Sequence, residues 1–244
     1  MIAVVTTFSD FGFDIYAKNM LLSAIDHLEC DIYAYYENKY LDDDRINNIK
    51  ISDNVREIGE FKKRHWNNMV VKGTQQSHKT PWKKKDLQNG YSFRYDAWKF
   101  CNKPLVMNDA INRINADIIY WIDADVVVKR CVPNLFFTNL LDDCDITFLG
   151  RNNYHSECGF VGYSVNDKTI RFCDELGKMY SEDKFLDERE WHDSYLFDVV
   201  RHKMNLKENN LTGTLKKSNV FDECVVGDYF SHLKGNMKYE NSSI

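Results

Sequence analysis

The chain has 244 residues, 43% of them hydrophobic, 14% aromatic and 28% charged. That supplies a sizeable core for one large α/β domain or two small ones, with a charge share ordinary for a soluble protein. The formal net charge of -5 argues against global attraction to nucleic acid or to an anionic membrane surface.

Ile2 to Thr7 is a short apolar run broken by SDFG, which reads as a first strand and its loop. From Phe13 the apolar residues fall at helical spacing, with Tyr16, Met20, Ala24 and Leu28 on one stripe. Asp31 to Glu37 reads as a second strand, and strand, helix, strand at this spacing is a βαβ unit with a parallel sheet. LDDDR is expected to be a solvated turn or short helix, and Val55–Gly59 a third strand. Helix returns from Tyr95, where Pro104 should end or kink it and make two. Asp117 to Asp123, DIIYWID, is apolar on both faces, so it reads as a central strand. A helix follows with Pro133 near its start, then strands at Asp145–Gly150 and Cys158–Val165. The next helix has Asn166 as its N-cap, and a last one carries Tyr195, Val199 and His202 near one face. The closing KYENSSI is polar and expected to fray.

There is no repeat and no Pro- or Gly/Ser-rich linker, so one domain over 1–244 is expected. The seven cysteines are scattered, with no CxxC pair, which fits neither a disulfide framework nor a cysteine zinc site. Reduced thiols in a cytoplasmic compartment are the expectation. The apolar start is too short for a signal peptide, and no segment approaches the length of a membrane span, so no stable membrane insertion is expected.

The chemistry concentrates in IIYWIDADVVV, Ile118 to Val128. Asp123 and Asp125 are two apart, and in extended chain they point to the same side. Buried like charges at that range drive one acid to protonate unless a cation sits between them. Hard divalent ions suit carboxylate oxygens, and magnesium is usually shared between one or two carboxylates and a substrate's phosphates. The carboxyl ends of strands in open α/β sheets are where ligands bind. The pattern therefore points to a metal at a strand end, bridging the protein to a diphosphate.

At this point WIDADVVV resembles the DxD segment of GT-A-fold nucleotide-sugar glycosyltransferases. VVTTFSDFGFDIYAKNML is similar to the family's nucleotide-binding first strand and helix, and RYDAWKFCNKPLVMNDAI to the helix before the DxD strand. LGRNNYHSECGFVGYSV resembles the strand pair on the acceptor side, EWHDSYLFD the acidic helix start near the transferred sugar, and SHLKGNMKY the late His-x-x-Gly segment. The fold so implied is a GT-A-like (Rossmann-like) sandwich, a central mixed, mainly parallel sheet flanked by helices. The activity implied is metal-dependent transfer of a hexosyl unit from a nucleoside-diphosphate sugar, with UDP-sugars favoured. The acceptor would be a glycan, a lipid-linked saccharide, a protein or modified DNA.

The resemblance also implies roles. Asp123, Asp125 and His232 would hold Mn2+ or Mg2+, with Asp123 also near the donor ribose. Lys234 and Gly235 would face the diphosphate, with Arg94 and Lys103 as phosphate clamps. Thr6, Thr7 and Phe8 would meet the base, and Tyr36 would stack on it. Asp193 and Glu157 are the catalytic candidates, the first near the anomeric carbon and the second on the acceptor side. Gly159, Trp191 and His192 would shape the sugar and acceptor side.

Residues 62–90 match no element of the family. Eight Lys and Arg residues occur there from Lys62 through Lys85 with no acid among them, and Trp66 and Trp82 are interleaved. A mobile, solvated basic loop is expected, or, if it has a function, an acceptor-recognition segment. Two rival readings share these features. A nucleic-acid- or glycan-binding module would act through the basic 62–85 stretch, and a nucleotidyltransferase would use the same acids. The latter should carry a Gly-rich loop after the first strand, and TTFSDFGFD is not one. A haloacid-dehalogenase-type phosphatase is disfavoured, because its DxD lies on the first strand and is followed by Gly-Thr.

Overall fold

The computed structural model describes residues 1–213, 220–235 and 237, so the expected frayed tail lies outside the described residues. The first strand, β1 (Ile2–Phe8), leads through a helical turn into α1 (Lys18–His27) and back to β2 (Asp31–Tyr36), parallel to β1. A turn over the Asp-rich segment gives β3 (Ile46–Lys50), parallel to β2 at the sheet edge. Val55–Gly59 is not a strand: α2 runs Arg56–Arg64 through it. Val55, Ile58 and Phe61 are buried at three-residue intervals, so helical period decides once the window is long enough.

After α3 (Lys84–Asn89), the chain enters α4 (Ala97–Phe100) and α5 (Asn102–Arg113), the break falling at Cys101 and Pro104 sitting in the first turn of α5. There the missing proline N–H costs the helix little. Strand β4 (Ile118–Ile122) is central, parallel to β1 on one side and antiparallel to β7 on the other. Beyond it come β5 (Val126–Val128), α6 (Asn134–Leu141), β6 (Ile146–Arg151) and β7 (Tyr154–Ser164). The helix α7 (Asp167–Ser181) is capped by the Asn166 side chain, which accepts from the N–H groups of Lys168 and Thr169. In α8 (Asp193–Arg201) the buried face is Leu196, Phe197 and Val200, whereas Tyr195 and Val199 are half-buried and His202 is exposed. The chain ends, as described, in β8 (Glu208–Asn210) and β9 (Phe230–His232).

Among the described residues, seven strands form one sheet in the order β3-β2-β1-β4-β7-β6-β8, and β5 pairs with β9 in a small second ladder. The large sheet is mixed and mainly parallel, with apolar packing on both faces, as expected. One face carries α2, α5, α7 and α8 around Trp121, Tyr180 and Phe172; the other carries α1 and α6 around Tyr120, Phe137 and Phe230. The carboxyl ends of β1, β2 and β4 all open at the same edge. No helix among the described residues is long and apolar enough to cross a membrane.

Candidate active site

A cleft of about 470 Å³ opens at those strand ends, within the usual size of a small-molecule site. Thr7, Phe8, Ser9 and Glu37 come from the ends of β1 and β2, and Asp123, Ala124 and Asp125 from the end of β4. The facing wall is helical, with Lys62 from α2, Trp98, Lys99 and Phe100 from α4, and Lys103 from α5. Glu157, Gly159, Asp193 and Ser194 close one end.

Asp123 and Asp125 are not in extended chain. They flank a turn between β4 and β5, closed by the Val126 N–H donating to the Asp123 carbonyl at 3.0 Å. The turn still directs both acids into the cleft, which is what alternation along a strand was expected to do. Trp121 Nε1 donates to Asp123 Oδ1 at 2.6 Å. The β5–β9 ladder then brings in a distant residue. Its register pairs Val126 with His232, and the Leu233 N–H donates to the Asp125 carbonyl at 2.9 Å. His232 Nε2 lies 3.2 Å from Asp125 Oδ1, and its Nδ1 faces Glu157 Oε1 at 3.8 Å. That Nδ1 is buried with no hydrogen-bond partner among the described residues. One ligand atom each from Asp123, Asp125 and His232 lie within 4.8 Å of one another.

Gly159 is where His232 fits. A Cβ there would stand 3.1 Å from the ring's Cε1 and 3.2 Å from its Nδ1. The residue lies in an irregular step of β7, where the pairing with β6 jumps between Val161 and Glu157 while the Gly159 carbonyl accepts from the Asp123 N–H. Bulges of this kind re-aim side chains next to sites, and here Glu157 is turned toward His232.

The charges are arranged around one lysine. Lys103 Nζ lies 2.7 Å from Asp123 Oδ1, 2.7 Å from Asp193 Oδ2, and donates to the Cys158 carbonyl at 3.0 Å. Burial alone pulls this ammonium down, and the two acids outweigh it and hold the group charged. Burial pushes the Asp123 carboxyl up, Asp125 adds to that, and Lys103 and His232 oppose it without cancelling it. Burial also acts on Asp193, but there Lys103 outweighs it and holds the carboxyl below its ordinary range. Glu157 is likewise held low, His232 and Lys234 outweighing burial.

The structure thus brings together Thr7, Phe8, Lys103, Asp123, Asp125, Glu157, Gly159, Asp193 and His232. Others stand elsewhere. Thr6 is fully buried behind the strand end. Tyr36 packs on Tyr40, with ring centroids 5.0 Å apart, and Glu37 takes its place in the cleft. Arg94 does not line the cleft: its guanidinium pairs with Asp86 at 2.8 Å in the packed 83–94 segment. Trp191 is a core residue against Tyr95 and Phe185 rather than a platform. His192 caps α8, its Nδ1 accepting from the Tyr195 N–H at 3.4 Å. Lys234, by contrast, reaches the cleft's edge: its Nζ donates to the cleft residue Glu157 Oε2 at 2.6 Å, and Gly235 follows at φ +59°, a left-handed position that suits glycine.

Residues 62–90 are folded over much of their length. Lys62 reaches Glu37 across the cleft at 3.4 Å, Arg64 pairs with Asp183 at 2.9 Å, and Lys72 stands 4.4 Å over the Trp98 ring. Sequence reasoning did not place Lys62, Trp98 or Lys99 in the cleft. Their common signal is the helical spacing of α2 and the run AWKF, Ala97–Phe100, a few residues before Pro104.

No family model matches the chain, and no curated protein matches it. Among solved structures it is similar to the glycosyltransferase GlyE of Streptococcus pneumoniae TIGR4, at 10% identity and TM-score 0.47, over 86% of this chain and 44% of that one. It is similar to the galactosyltransferase LgtC in complex with donor and acceptor sugar analogues, at 12% identity and TM-score 0.44, over 80% of this chain and 69% of that one. It is also similar to mouse xyloside xylosyltransferase 1, at 11% identity and TM-score 0.48, over 83% of this chain and 82% of that one. The chain therefore spans less than half the length of the first of these.

Proposed function

We propose that the protein is a glycosyltransferase that moves a hexosyl unit from a nucleoside-diphosphate sugar, a UDP-sugar by preference, to a hydroxyl acceptor. Mn2+ or Mg2+ is held by Asp123, Asp125 and His232. The observation that carries this reading is the convergence of the two acids with a histidine more than a hundred residues away, at the ends of three parallel strands.

The donor set fits the ion. It is oxygen-rich with one imidazole, as hard divalent cations prefer, and Asp123 is an acid whose burial disfavours its own charge. Glu157 stands behind the His232 Nδ1 at 3.8 Å, where a small approach would make it the outer carboxylate that orients a ligating histidine. The cleft also needs a cation on electrostatic grounds. Glu37, Asp123, Asp125, Glu157 and Asp193 all line it, and that wall alone repels a diphosphate. A bound divalent ion supplies Lewis-acid neutralisation of charge on the departing diphosphate, worth several kcal/mol.

The chain's own residues do the rest. Thr7 and Phe8 border the space for the nucleotide. Lys62, Lys99 and Lys103 set positive charge on the wall opposite the acids. Lys103 outweighs burial and holds the Asp193 carboxyl below its ordinary range, which weakens it as a base. Asp193 serves by steadying positive charge on the sugar at the reacting carbon, not by taking the acceptor's proton. The acceptor is a glycan, lipid-linked saccharide, protein or modified DNA that enters past Glu157 and Ser194. The binding-module alternative loses ground because Lys62, Arg64 and Lys72 already have partners.

The test is a donor-hydrolysis screen across nucleotide sugars with and without Mn2+. Slow, metal-dependent release of a nucleoside diphosphate from at least one donor is expected. No release from any donor, together with no divalent-dependent nucleotide binding, contradicts the proposal.

A further inference from the structure

Outside the cleft, three side chains meet where β7 passes the start of α8. His155 comes from β7, and Glu190 and His192 come from the loop that leads into the helix. Nε2 of His192 lies 3.1 Å from Glu190 Oε2, and Nε2 of His155 lies 3.8 Å from the same oxygen. One ligand atom from each of the three lies within 4.8 Å of the others. A tetrahedral zinc centre, with bonds of roughly 2.0–2.1 Å, spaces its ligand atoms about 3.3 Å apart. The two separations to the Glu190 oxygen, 3.1 and 3.8 Å, straddle that edge length.

We propose that His155, Glu190 and His192 form a second metal site, one that takes zinc or a similar borderline ion rather than the manganese or magnesium suited to the acid pair. Two imidazoles and one carboxylate are a zinc donor set with an open fourth position. The surroundings fit. Phe93 and Phe100 pack on the His192 ring, and Tyr195 packs edge-on against the His155 ring at 5.0 Å. The Glu190 and His192 side chains are 13% and 7% exposed, and that of His155 is 31% exposed, which leaves one side open for entry. Burial, and next the His192 ring, lower the His155 imidazole below its ordinary value, which favours its ligand form. The other charges facing the group are Asp198, which favours a cation, and Arg189 and Arg94, which oppose one. Arg94 is already paired with Asp86.

Binding has a definite local consequence. In the free protein His192 Nδ1 accepts from the Tyr195 N–H, which leaves the ring proton on Nε2, toward Glu190. An ion taken at Nε2 moves that proton to Nδ1. The long 3.4 Å cap bond is then given up. The affected turn begins at Asp193, so occupancy is felt at the wall of the cleft.

The experiment uses Zn2+ alone as probe, by calorimetry at neutral pH, on the full chain carrying Asp125→Asn so that the acid pair does not compete. A single zinc-binding event is expected, with no Mn2+ heat, and its loss in the Asp125→Asn/His155→Ala chain. No zinc binding in the first chain, or unchanged binding in the second, overturns the proposal. Co2+ added to the otherwise unaltered chain gives a second arm that does not depend on Asp125→Asn folding. Intense visible absorption of four-coordinate cobalt is expected and should vanish in His155→Ala; its absence, or its persistence in the variant, overturns the site.

Discussion

The two walls of the cleft are built by opposite means. The acid wall is assembled from strand ends, so parallel register alone places Thr7, Glu37 and Asp123 at one edge. The lysine wall is assembled from helices, and Lys62, Lys99 and Lys103 meet there because α2, α4 and α5 pack on one face of the sheet. Strand register is fixed by backbone ladders, whereas the helical wall depends on side-chain packing and a few ion pairs. The difference teaches that the acid wall is the rigid half, and the lysine wall the half that single substitutions can loosen.

The largest effect should come from the residue that joins the walls. Lys103→Met removes the ammonium between Asp123 and Asp193 and leaves two buried acids without their partner. Breaking a buried pair from one side costs roughly 3–5 kcal/mol. Chemical denaturation should show a loss of that order, and a loss under about 1 kcal/mol would mean that water already screens the trio.

Gly159→Ala probes the acid wall. The added methyl presses on the His232 ring at 3.1 Å and on Phe221 at 3.2 Å. Overpacking of this kind costs about 1–3 kcal/mol, and a displaced ligand should weaken Mn2+ binding by roughly 10-fold. Manganese titration followed by electron paramagnetic resonance reads it; unchanged affinity would remove His232 from the ligand set.

The smallest effect belongs to the latch that ties α2 to the body. Arg64 donates twice to Asp183, at 2.9 and 3.0 Å, and His65 lies 2.8 Å from the same carboxylate. Arg64 is 38% exposed, so Asp183→Ala should cost only about 1 kcal/mol. Burial pushes the Asp183 carboxyl up, and Arg64 and His65 outweigh it, so its folded value lies below the ordinary 3.8. The latch's contribution is therefore present above pH 3.8 and fades as pH falls through the lowered value. Urea melts of wild type and variant should differ at neutral pH and converge in acid; a gap that widens in acid would contradict this.

The same contrast explains what the sequence made legible. Strands β1, β2 and β4 stood out because central strands are apolar on both faces, and Asp123 and Asp125 stood out against that background. Strand β3 was missed because INNIK is a polar edge strand that pairs on one side only. Residues 55–59 were misread because five residues of VREIG hide a helical period that Phe61 completes. His232 has no local signal beyond the resemblance, since a three-residue ladder to β5 delivers it. The helical wall was out of reach, because whether Lys62 or Arg94 faces a ligand is decided by partners such as Glu37 and Asp86, far off or ambiguous in sequence.

Calorimetry of UDP binding, with and without Mn2+, on the wild type and on Asp125→Ala tests the central claim most directly. The account predicts tight binding only for wild type with Mn2+, and loss of that metal dependence in the variant. UDP binding that ignores Mn2+, or that survives Asp125→Ala unchanged, would contradict it.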